Sequence, residues 1–170
     1  MASDRSLHRT LEIIDRFGWA VIGVGGSTCD EPGCDGGEND DGVEFAYTVG
    51  LSVYGFPEVI TYGLPQQIAA TCLNLVGEQV RAGRPPVVGG FVGRVFAGHP
   101  GYLIDVQDTS DLVVAEQIYP EVVAAQLVWP DRRGRFPWHP GYGRSRSDQP
   151  LMGRPPRSCV GGGSAALRRG

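Results

Sequence analysis

The chain contains no lysine; all fifteen of its basic residues are arginine. Folding does not demand that exclusion, because the two side chains differ in charge distribution and hydrogen-bond geometry rather than in foldability. It reads as the codon bias of a GC-rich genome and carries no mechanism. Long apolar runs are missing too. None approaches the roughly 20 residues that a membrane-spanning helix needs. Residues 1–14 lack the basic-then-apolar pattern of a secretory signal, so a cytoplasmic protein is expected. Reactive side chains are few, with three histidines and four cysteines. The patterns GxSxG, HExxH and GxxxxGKS do not occur, which removes the common hydrolase, zinc-protease and phosphate-loop readings. The glycines of GVGGST (23–28) follow a strand, but an acidic loop comes next where a helix N-terminus would have to receive the anion. Acids in turn are nearly lacking after position 131. Residues 132–170 set nine arginines against Asp148 alone (+8), whereas residues 1–131 set six arginines against eighteen acids (−12). The body should repel nucleic acid, and only the basic tail is suited to a polyanion.

What remains is a 170-residue chain, 41% apolar, with 26 glycines and 13 prolines. That length suits one domain with a real core. Leu7, Leu11 and Ile14, widened by Ile13 and Phe17, predict a helix over 6–17 that Gly18 ends. WAVIGV (19–24) reads as a buried strand. Residues 25–42, GGSTCDEPGCDGGENDDG, are aperiodic and acidic, hence a solvated loop. FAYTVGL (45–51) and EVITYGL (58–64) read as strands joined by a six-residue connector. After Pro65 a helix places Ile68, Cys72, Leu75, Val76 and Val80 on one face and stops at Gly83. VVGGFVGRVF (87–96) and GYLIDVQD (101–108) predict two more strands, then a short helix ended by Pro120 and a last strand before Pro130. Strands joined by short connectors predict an α+β fold, a mainly antiparallel sheet with two to three packed helices in a single domain over 1–152. The Arg-, Gly- and Pro-rich remainder, 153–170, is expected to be disordered.

Three phrases together are distinctive: the GWAV start at Gly18, FAYTVGL…GFPEVITYGLP, and QLVWPDRRGRFPWHPGYG followed by QPLMG. Across about residues 8–153 they resemble the bacterial domain of unknown function numbered 4262, common in actinobacteria and their phages. The resemblance implies a small soluble bacterial domain and carries no catalytic residues. The acidic cysteine-bearing loop and the arginine-rich tail depart from it.

Few groups suggest chemistry. Cys29 and Cys34 in CDEPGC are the thiols at ligand-like spacing, but a second Cys or His pair to complete a zinc site is missing, so no metal is expected. Alternation in the second strand sends Tyr47, Val49 and Leu51 to one face and Ala46, Thr48 and Gly50 to the other. A pocket near Tyr47, Thr48 and Ser52 is the basis for one alternative, a flavin (FMN) redox enzyme of split-barrel type, offered as fold-level analogy. In QLVWPDRRGRFPWHPGYG, Leu127 and Trp129 point inward and Pro130 ends the strand. PDRRG then turns, and FPW folds back onto the sheet with Arg135 set to pair with Asp131 or stack on a ring. This predicts a corner that seals the core; its alternative is a groove rimmed by Trp129, Arg135, Trp138 and His139, with His99 as a further candidate. The expected function is a non-enzymatic accessory or binding domain without a cofactor, whose partner is a protein or a small molecule. Neither a membrane nor, outside the tail, a nucleic acid is expected, and oligomeric state is unspecified.

Overall fold

A computed structural model describes residues 4–25 and 42–157. The acidic loop with Cys29 and Cys34, apart from its ends at Gly25 and Gly42, and the tail beyond Arg157 lie outside the described residues. The elements follow the order α1 (Asp4–Phe17), β1 (Ala20–Val24), β2 (Phe45–Val49), β3 (Glu58–Tyr62), α2 (Gln66–Arg81), β4 (Phe91–Val92), β5 (Gly101–Val106), α3 (Val113–Ile118) and β6 (Ala124–Val128). The strands form one six-stranded sheet in the order β1-β2-β3-β6-β5-β4. Every pairing is antiparallel except β3 with β6, which run parallel. The expected α+β architecture is therefore present. The single parallel pair follows from connectivity, since α2, β4, β5 and α3 all intervene between β3 and β6.

Both faces of the sheet are covered. On one, α2 packs Ala69, Cys72, Leu73, Val76 and Val80 against Leu103, Ala125 and Leu127. On the other, Tyr47, Val49, Ile60 and Ala124 meet α3 and the half-buried Leu7 and Ile14 of α1. Farther along that second face Ile104 and Val128 are capped by Phe136 and Trp138.

The structure corrects three expectations. Cys72, Val76 and Val80 of the expected α2 face are buried, but the face is rotated: Ala69, Leu73 and Gly77 lie inside with them, while Ile68 and Leu75 are exposed. Trp19 sets this rotation at Gly77, where a Cβ would come within 2.5 Å of the indole ring. The long strand predicted over 87–96 shrinks to Phe91–Val92. Its glycine-rich flanks turn instead, tied to β5 by bonds between the backbones of Leu103 and of Gly89 and Gly90. Alternation in β2 stops at Gly50, whose φ of 122° redirects the chain. Leu51 consequently packs on the α2 side rather than beside Tyr47 and Val49.

The redirected segment Leu51–Tyr54 is one 3₁₀ turn. Its start is held by Glu58, 1% exposed, which accepts hydrogen bonds from the Thr48 hydroxyl (2.7 Å) and from the backbone N–H groups of Gly50, Leu51 and Ser52 (2.9–3.2 Å). Thr48 Oγ1 in turn accepts from the Val59 N–H. A buried carboxylate is tolerable only when donors converge on it, and four do so here.

A second polar device ties down the C-terminal segment. Gln149, fully buried, donates to the carbonyl of Trp129 and accepts from its N–H, so one amide side chain stands in for a strand partner beyond the end of β6. Gln126, equally buried, donates to the Pro150 carbonyl and accepts from the Met152 N–H. Residues 149–153 thus form a strap across the sheet, completed by a bridge between Val106 and Gly153.

Candidate functional site

The corner that follows β6 is organised by Asp131. Its Oδ1 accepts from the backbone N–H groups of Arg133 (2.8 Å) and Arg135 (2.9 Å). Its Oδ2 accepts from the N–H of Gly143 (2.8 Å) and from Nε of Arg135 (3.1 Å). Desolvation by burial works against the charged carboxylate. The three backbone donors and the Arg135 guanidinium outweigh it and hold the carboxyl at about 2, below its ordinary 3.8. Asp131 therefore closes the PDRRG turn and pins Gly143 back onto it. Its four acceptor positions are filled from within the chain.

Two contiguous clefts flank this hub. One, about 530 Å³, is lined by Asp131, Arg132, Arg133, Arg135, Gly143 and Arg144. The other, about 550 Å³, runs from Asp131, Arg132 and Arg144 over Pro130 and Trp129 to an apolar wall of Leu64, Pro65, Ile68 and Phe96. They share Asp131, Arg132 and Arg144, and Asp131 is the single carboxylate on either lining. Arg132, Arg133 and Arg144 are exposed, and among the described residues none of them has a carboxylate within salt-bridge distance. Arg144 is nonetheless held, its guanidinium carbon 5.0 Å from the centre of a Trp129 ring. Such stacking leaves the N–H edge of a guanidinium open to an acceptor.

The residues expected from the sequence fall in three places. Trp129, His99 and Arg135 belong to this corner. Trp129 is its floor, 5% exposed, with Nε1 donating to the Tyr62 carbonyl at 2.7 Å. His99 lies against the turn, its ring where a Cβ on Gly134 would stand 3.0 Å from Nδ1. Arg135 is paired with Asp131, the first of the two arrangements the sequence allowed.

Trp138 and His139 line neither of these clefts. Trp138 stacks on Phe136 with ring centres 4.9 Å apart and meets Tyr102 edge-on. His139 Nδ1 accepts from the Phe136 N–H at 3.0 Å. FPW folds back onto the sheet and buries Phe136 to 2% exposure, while Trp138 stays half-buried and lines a smaller cleft with Pro137, Arg146 and Leu151.

Tyr47, Thr48 and Ser52 do not join either group. Tyr47 and Thr48 are interior, 1% and 0% exposed. The Tyr47 hydroxyl accepts from the Val114 N–H, and Thr48 belongs to the Glu58 cluster. Ser52 lies at the surface with its backbone N–H on the same glutamate. The small side chains of β2 are accounted for by packing under α2 and by that cluster.

Sequence reasoning missed Arg132, Arg133 and Arg144 as a set, and it missed the apolar wall. Charge counting signalled an excess of arginine after position 131 without showing that these three line one cleft. The wall comes from residues 64–68 and 96, far away in sequence and brought alongside by β3 and β6. Among the described residues no group of three His, Cys, Asp or Glu side chains is placed to hold a metal ion. No helix of the described residues is long and apolar enough to cross a membrane.

A family model described as a domain of unknown function (DUF4262) matches residues 13–143, from α1 to the end of the Asp131 corner. No curated protein and no solved structure matches the chain.

Proposed function

Since the chain belongs to the DUF4262 family, for which no activity is described, its function must be read from its own site, and we propose a small non-catalytic binding module of the bacterial cytoplasm. Its ligand is a small organic anion held at the Asp131 corner. The observation that carries this reading is a pair of clefts, about 530 and 550 Å³, that share Arg132 and Arg144. Arg133 joins them on the first and an apolar wall on the second, and none of the three arginines has a carboxylate within salt-bridge distance among the described residues. Small-molecule sites combine apolar walls with a few convergent polar groups, and both volumes fall in their usual range.

The side chains around the cleft support holding rather than turnover. A general base must have a free lone pair within reach of the proton it takes. Asp131 has none to spare, because its four acceptor positions are filled. His139 uses Nδ1 on the backbone and lines neither cleft. His99 has no carboxylate within salt-bridge distance to orient it among the described residues.

The test is a thermal-shift panel on the full chain. It contains organic anions bearing an apolar body, flavin mononucleotide among them, beside their uncharged counterparts. Anions are expected to raise the melting temperature and uncharged counterparts to leave it unchanged. The double variant Arg132→Ala/Arg144→Ala should lose the shift. A panel with no responder, or one whose responders ignore that variant, would overturn the reading.

A further inference from the structure

We infer that the anionic group taken at this corner is a phosphate monoester, seated between Arg132, Arg133 and Arg144, with the apolar body of the same small molecule along Ile68 and Phe96. This rests on the reading of the corner as an anion site and narrows it to one ligand chemistry.

Charge supplies the first argument. Of the four arginines on the cleft, Arg135 is neutralised by Asp131, and the other three line it with no carboxylate within salt-bridge distance among the described residues. A monocarboxylate offers two oxygens and one charge, so two of the three guanidiniums would remain uncompensated. A phosphate monoester near neutral pH carries between one and two charges on three terminal oxygens, enough to accept forked bonds from several guanidiniums at once. Arginine, with its planar fork of donors, is suited to that geometry.

Competition is the second. Among the described residues the carboxylate on the cleft lining is Asp131, and its oxygens are occupied by three backbone N–H groups and Arg135 Nε. The same donors hold its carboxyl below the ordinary carboxylate range, so it is ionised at neutral pH. The cleft therefore keeps its positive potential.

Preorganisation is the third. Arg144 is fixed by its stack on Trp129, whose own N–H is fixed on Tyr62. Part of the entropy cost of gathering a flexible side chain around the ligand is thus already met in the free protein.

Size and surroundings favour a small molecule over a nucleic acid strand. The cleft beside the arginines has a volume of about 550 Å³, that of a small-molecule site, and residues 1–131 carry twelve more acids than arginines. A polyanion lying across the corner would run into that negative body.

The experiment is calorimetric titration of the full chain with four probes: phenyl phosphate, inorganic phosphate, benzoate and benzyl alcohol. Phenyl phosphate is expected to bind about tenfold or more tightly than benzoate, the ratio that one additional charge-assisted contact supports. It should also bind more tightly than inorganic phosphate, because of the wall. Arg132→Ala, at an exposed position that folding does not need, should weaken phenyl phosphate by about tenfold. Arg144→Lys keeps the charge and spares Trp129 a vacancy but loses the fork, and should weaken it as well. Arg146→Ala, on the separate Trp138 cleft, should leave it within about twofold.

Benzoate binding as tightly as phenyl phosphate would overturn the phosphate inference while the anion site stood. Inorganic phosphate binding as tightly as phenyl phosphate would overturn the apolar half of the inference. No binding by any probe would sink both the inference and the reading it rests on.

Discussion

Two carboxylates carry much of the local order, and they do it in different ways. Glu58 is 1% exposed and accepts four hydrogen bonds, three of them from the backbone at the start of one 3₁₀ turn. Replacing it with glutamine keeps the shape but turns one acceptor into an NH₂ donor that faces donors. At least one buried N–H then loses its partner, a change worth about 1–3 kcal/mol per group. Glu58→Gln should therefore lower stability by about 2–4 kcal/mol, read as a shifted urea midpoint with unchanged slope. An unchanged midpoint would mean that the carboxylate does not anchor the turn. Asp131 is different because its acidity is perturbed. Its folded carboxyl sits at about 2 against an ordinary 3.8, so the unfolded chain binds the proton more readily than the native one. The stabilisation it supplies is thus complete above about pH 4 and is lost as pH falls toward about 2. Asp131→Asn should be less stable than the parent at neutral pH, and the difference between the two should shrink steadily through that window. A difference that stays constant across it would mean that Asp131 is no more acidic in the folded chain than in the unfolded one.

At the scale of elements, α2 and the C-terminal strap show how far the sequence could be read. The apolar periodicity announced a helix after Pro65 and its approximate stop, and both are present over Gln66–Arg81. What periodicity could not reveal was which side faces inward, because Gly77 contributes nothing to an apolar stripe and is selected by the Trp19 ring lying against it. A methyl group there gains about 1 kcal/mol of helix propensity. It also meets ring atoms at 2.5–2.9 Å, and overpacking of that kind costs about 1–3 kcal/mol. Gly77→Ala is accordingly expected to destabilise despite its better propensity, whereas the same change at an exposed helical position would stabilise; a calorimetric melting scan distinguishes them. The order of helices and strands was legible for the same reason as α2, since each is announced by local pattern. The strap was not. Gln126 and Gln149 look like ordinary polar residues, and only the fold shows their amides completing backbone hydrogen bonds 20 to 26 residues away. The site was half legible in the same sense. The Trp-Pro-Asp corner stood out by composition, but Arg144 and the wall from Leu64 to Ile68 reach it through tertiary contacts that no local pattern encodes.

For the whole molecule, the division of charge along the chain is in part a division in space. Eighteen acids lie up to Asp131, and of the nine arginines that follow, Arg132, Arg133, Arg135 and Arg144 line one cleft and Arg146 another. A cleft with cations on its walls raises the local positive potential and draws small anions in, while an acidic body discourages a long polyanion from lying down beside it. The two cases differ in their response to salt. Neutralising one phosphate with two or three guanidiniums involves few displaced counterions, whereas a duplex contacting six or more cations loses orders of magnitude in affinity over a modest rise in salt. Phenyl phosphate affinity is therefore expected to fall only severalfold between about 50 and 200 mM salt. If the full chain retains duplex DNA at the lower salt, that retention should vanish when residues 158–170, with Arg168 and Arg169, are removed, and phosphate affinity should stay the same. DNA binding that survives the truncation and instead disappears in Arg132→Ala/Arg144→Ala would make the corner a polyanion surface. The acidic body would then have failed to exclude what its charge is argued to exclude.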